Sequence, residues 1–181
     1  MKKSISIVAA ILLGLSVSTA AFAQESAPAQ TERRQIVEGV FVNHSYTPGM
    51  LGSMDSLIIT KDAKEQSIFE SEGRRIENVY SKDFDNDGNT EYLVQMDGGG
   101  SGGYRDMSLL KLSAENTYKP VWEDSYPMPE VEIKDRDDGK SAIYINYIKN
   151  PKDEKALKAL VIVNFNKEGK ITTRDSQELS K

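Results

Sequence analysis

Apolar residues in this chain recur at every second position and almost nowhere at the spacing of a helix. The runs at residues 36–42 (IVEGVFV), 56–60 (SLIIT) and 140–148 (KSAIYINYI) are short and rich in β-branched and aromatic side chains. Such alternation puts one set of side chains on each face of an extended segment, so these runs predict strands. Turn-forming residues separate them at Thr47-Pro48-Gly49, at 85–89, at 98–103, at Asp137-Asp138-Gly139 and at 166–169. The last two have the composition of hairpin tips. The expected fold is therefore mainly β, an antiparallel sheet or β-sandwich with at most one short helix. The helical candidate is residues 151–160 (PKDEKALKAL), which run straight into the β-branched Val161-Ile162-Val163. No fixed-period repeat occurs, which argues against a propeller closed by this chain alone.

The amino-terminal residues read differently. Lys2 and Lys3 precede an apolar run at residues 5–17, and Ala21-Phe22-Ala23 follows it. Charged start, greasy middle and small-x-small end describe a secretory signal peptide, and the apolar run is too short to span a bilayer. The expected organisation is a signal peptide at 1–23, a polar disordered lead-in at 24–35 and a single β domain at 36–181. That implies a periplasmic or secreted protein, cleaved after Ala23 and not inserted in a membrane. The chain has no cysteine. A disulfide framework, a thiolate zinc site, a cysteine nucleophile and a lipid-modified cysteine are all excluded. The formal net charge of −5 becomes −7 once Lys2 and Lys3 are removed. An acidic surface argues against nucleic acid and would favour a basic partner.

Two segments carry chemical information. In the first, residues 83–91 (DFDNDGNTE), side-chain oxygens fall on Asp83, Asp85, Asp87 and Glu91, Gly88 permits a tight reversal and Asn89 can offer its carbonyl. Hard oxygen donors in this order are what Ca²⁺ prefers. An EF-hand would need an acid where Val94 stands, and helices where the flanks read as strands. The segment resembles instead the strand-flanked Asp-x-Asp-x-Asp-Gly loop of integrin-type FG-GAP repeats, also found in VCBS modules. That resemblance implies a calcium-binding envelope or adhesion module, with Asp83, Asp85, Asp87, Asn89 and Glu91 around the ion. An Asp-rich turn without an ion is the alternative, because turns favour the same residues.

The second segment is Gly98-Gly99-Gly100-Ser101-Gly102-Gly103-Tyr104. A loop this rich in glycine costs much entropy to order, so it suggests close approach to something. It lacks the Gly-Lys-Ser/Thr ending and following helix of a phosphate loop. Over residues 38–112, the order of Gly39-Val40-Phe41, a Ser/Gly-containing stretch at 45–56, the acidic turn and Ser101-Gly102-Gly103-Tyr104 resembles the periplasmic inhibitors of invertebrate-type lysozyme. The resemblance implies a protein that plugs a lysozyme cleft with Ser101, Gly102, Gly103 and Tyr104. Such a cleft holds one protonated and one ionised carboxyl group, which inserted hydroxyls can satisfy.

An enzymatic role is not expected. His44 is the sole histidine, and its neighbours Asn43 and Ser45 match no nucleophile elbow or triad context. The acidic residues lie mostly in turns and solvated strand faces, and Trp122 reads as core rather than as a sugar platform.

Overall fold

The computed structural model describes residues 28–48, 53–98, 103–149, 157–166 and 168–176. They form twelve strands: β1 (Gln30–Val37), β2 (Val40–Tyr46), β3 (Ser53–Lys61), β4 (Lys64–Glu70), β5 (Ile76–Lys82), β6 (Glu91–Asp97), β7 (Tyr104–Leu112), β8 (Tyr118–Pro127), β9 (Glu130–Asp135), β10 (Ser141–Lys149), β11 (Leu157–Phe165) and β12 (Ile171–Ser176). Every neighbouring pair is antiparallel, and each consecutive group of four makes one meander sheet. No helix occurs among the described residues. The mainly-β expectation holds.

Period-two alternation decides how the sheets stack. Along β6, Tyr92, Val94 and Met96 join Val40, Val42, Leu57 and Ile59 of the first sheet in one apolar core. Leu93, on the opposite face, joins Met107, Leu109, Ile143, Ile145, Val161 and Phe165 in a second core. The second sheet therefore lies between the first and the third, and β6 is buried on both faces from Glu91 to Met96. The result is three β layers with two cores. Half-buried Trp122 packs on the second core beside Tyr126, as a core residue should.

The amino-terminal boundary differs from expectation. Residues 24–35 were expected to be disordered, yet β1 begins at Gln30, and the strand reads polar because both of its faces are largely exposed. It is an edge strand, held by its ladder to β2 rather than by apolar burial, and charged edge strands resist pairing with other chains. Arg33 forks onto Glu65 and lies 3.9 Å from the centre of the Phe41 ring. Arg34 donates to the carbonyls of Ile76 and Glu77, which ties the edge to the second sheet. Within the helical candidate, Leu157–Leu160 belong to β11 instead, since they continue into its β-branched run. Residues 151–156 and the predicted signal peptide at 1–23 lie outside the described residues.

Both predicted hairpin tips are hairpins, and they do more than reverse the chain. Gly139 and Gly169 have φ of +79° and +72°, and a Cβ on them would come within 3.2 Å of Asn86 Nδ2 and Asp85 Oδ2. The two turns of the third sheet therefore rest against the acidic loop of the second. Gly169→Ala combines backbone strain with this contact and should cost about 1–2 kcal/mol. Chemical denaturation would measure it.

Candidate functional site

The acidic loop connects β5 to β6 and closes on itself. Asp83 Oδ1 accepts the Asp87 N–H at 3.1 Å and its Oδ2 the Gly88 N–H at 2.9 Å. Asp87 Oδ1 accepts the backbone and side-chain N–H groups of Asn89 at 2.8 and 3.0 Å. These local bonds are what Asp and Asn offer in tight turns, and Asn86 and Gly88 take the positive φ the reversal needs. Phe84 is fully buried in the second core and pins the loop from below. Its N–H donates to Glu91 Oε2 at 2.8 Å, and its carbonyl accepts the Ser141 N–H at 2.8 Å.

One oxygen from each of Asp83, Asp85, Asp87 and Glu91 lies within 4.8 Å of the others, so the four carboxylates could hold a metal ion. A cation of the chain's own already reaches them. Lys111 Nζ, from β7, donates to Asp85 Oδ2 and Asp87 Oδ2 at 2.6 Å each and to Glu91 Oε1 at 3.3 Å. The same ammonium lies 5.5 Å from the centre of the Phe165 ring. Burial works against the Lys111 charge, but the bonds to Asp85 and Asp87 outweigh it and raise its pKa. The Lys111 bond in turn holds the Asp87 carboxyl below the usual carboxylate range. Burial pushes Glu91 up to about 7 against the pull of the Phe84 N–H and Lys111. Asp85 Oδ1 is buried with no hydrogen-bond partner among the described residues. Asn89 is turned toward Asp87 as a donor.

The glycine-rich loop begins at the other end of β6. Gly98 N–H donates to the Tyr104 carbonyl at 3.0 Å, and a Cβ on Gly98 would lie 3.0 Å from that oxygen. Only glycine closes the hairpin this tightly. Gly103 has φ +64° and accepts the Met128 N–H at 2.9 Å. Tyr104 is 42% exposed, and Met128 beside it is 56% exposed. The Tyr104 hydroxyl has no partner among the described residues. Ser101 and Gly102 lie outside the described residues.

No protein-family model, curated protein or solved structure matches this chain.

The two motifs occupy opposite ends of the central sheet. Successive loops of a meander alternate ends, and six residue steps along β6 separate them by about 20 Å. An ion in the acidic loop therefore cannot brace the turn directly beneath the glycine-rich loop. What the acidic loop braces is the contact between the second and third sheets. Lys111 was not foreseen, because it reaches the carboxylates only through strand register: it follows Leu110, which pairs with Tyr92 on β6, and so comes beside Glu91 at the end of the acidic loop. A lone lysine at the end of a strand carries no signal of such a role.

Proposed function

We propose that the protein is an exported, non-enzymatic binding protein that inserts its Ser101-Gly102-Gly103-Tyr104 motif into the cleft of an invertebrate-type lysozyme. The observation that carries the reading is Tyr104, a large aromatic left exposed at the foot of a glycine-rich hairpin while its backbone is fixed on both sides. An aromatic that costs little entropy to hold in place is the usual anchor of a protein interface. Met128 extends the apolar surface, as interface centres require. Hydroxyls of Ser101 and Tyr104 match the carboxyl pair of a lysozyme cleft, and the acidic mature chain would speed encounter with a basic enzyme. The test is a turbidity assay of bacterial lysis against a panel of lysozyme types. Inhibition confined to the invertebrate type supports the reading, and no inhibition of any type rejects it.

A second reading, a calcium-binding envelope or adhesion module, is favoured by the four converging carboxylates and by the unpartnered Asp85 Oδ1. The donors are all hard oxygens, which suits Ca²⁺. Such an ion would take the place of Lys111 Nζ among Asp85, Asp87 and Glu91. Calcium that binds only the folded state raises the melting temperature, and Asp87→Ala should abolish the rise. Identical melting curves in calcium and in chelator would reject this reading.

A further inference from the structure

A second cluster of polar groups lies at the seam between the first and second sheets. His44 and Asp55 face each other across β2 and β3, on the core face beyond Val42 and Leu57. Asp55 is buried and its two carboxylate oxygens are both engaged: Oδ1 with His44 Nδ1 at 2.5 Å, Oδ2 with the Ile76 N–H at 2.8 Å. Its own N–H donates to the hydroxyl of fully buried Ser71 at 3.0 Å. An imidazole that donates Nδ1–H to a fixed carboxylate keeps Nε2 as its free edge. His44 borders a cavity of about 120 Å³ whose walls also include Glu32, Arg34, Arg75 and Ile76.

Three groups around that cavity have no partner among the described residues: the Glu32 carboxylate, the Arg75 guanidinium and Nε2 of His44. Arg33, also on the wall, is engaged by Glu65, and Arg34 is held by two backbone carbonyls. The cavity thus presents one free cationic fork and two free acceptors, set on a rigid Asp55–His44 base. A guanidinium matches a carboxylate in geometry as well as charge. Two acceptors match an ammonium, which carries three donors and no acceptor. That volume has room for a small molecule.

We propose that this cavity binds a small zwitterion of the α-amino acid class, its carboxylate on Arg75 and its ammonium between Glu32 and His44 Nε2. Glycine is the smallest such molecule and the probe of choice. Because His44 is the sole histidine, its ring protons give one isolated set of NMR signals. Glycine titrated into the folded protein at pH 8 should move those signals saturably, with half-saturation at millimolar concentration, about what one charged fork and two bonds support. Acetate and methylamine, each half of the zwitterion, should bind at least about fivefold more weakly. Arg75→Gln should weaken the glycine response about tenfold while the amide spectrum stays that of a folded protein. Lys119→Gln, at the opposite end of the sheet, should leave it unchanged. An unmoved His44 signal overturns the proposal, as does an unaltered glycine response in Arg75→Gln. Acetate or methylamine binding as well as glycine would also overturn it, since the site would then read only one charge.

Discussion

Lys111→Met is expected to destabilise the fold by about 3–5 kcal/mol, the usual cost of removing one partner from a buried ion pair. The substitution keeps the stem and its packing near Phe165 but deletes the ammonium that Asp85, Asp87 and Glu91 share. Asp85 and Glu91 are buried, so negative charge left there cannot turn to water, and Glu91, already pushed up to about 7, would be driven to take up a proton. Loss of the three bonds would loosen the loop on which the turns at Gly139 and Gly169 rest. The variant should also become dependent on divalent cations, because the competing ammonium is gone. Calcium at about a hundred times its dissociation constant would return about 2.7 kcal/mol. Denaturant titrations with calcium and with chelator measure both effects. A loss under about 0.5 kcal/mol would show that Lys111 does not hold the loop.

Tyr104→Ala should have the opposite profile. Its ring is 42% exposed and its hydroxyl has no partner among the described residues, so the melting temperature should scarcely move. Binding to a lysozyme, by contrast, should weaken by about 2 kcal/mol or more, roughly thirtyfold, as for an aromatic anchor removed from a desolvated pocket. Inhibition titrations and thermal melts on one preparation separate the two effects. A Tyr104→Ala variant that melts far below the parent yet inhibits as well would reverse the assignment of that side chain from partner contact to core.

How much of this was legible in the sequence follows from how local each feature is. The strands at 56–60 and 140–148 announce themselves through β-branched and aromatic residues bounded by turns, whereas the run at 36–42 is not one strand: the turn at 38–39, with Gly39 at φ +73°, divides it between β1 and β2. The central strand β6 reads as a nearly unbroken apolar run, since both of its faces are covered, and such a run does not say what covers it. The third layer was therefore not foreseeable from alternation. The polar edge strand β1 has no apolar face to betray it, because its ordering comes from a ladder and from Arg33 and Arg34. The acidic loop was legible because its donors lie within nine consecutive residues. Lys111 and the Asp55–His44 pair were not, because cross-strand register brings them to their partners, and register is set by the whole sheet.

The proposed insertion of the loop ending in Tyr104 into a lysozyme cleft is tested most directly by competition. Calorimetric titration of the protein into an invertebrate-type lysozyme should give saturable binding. Filling the enzyme's cleft beforehand with a chito-oligosaccharide should abolish or strongly weaken that binding, because a sugar chain and the loop cannot share the space. Binding of equal strength to the free and the sugar-filled enzyme, or no binding to either, would contradict the account.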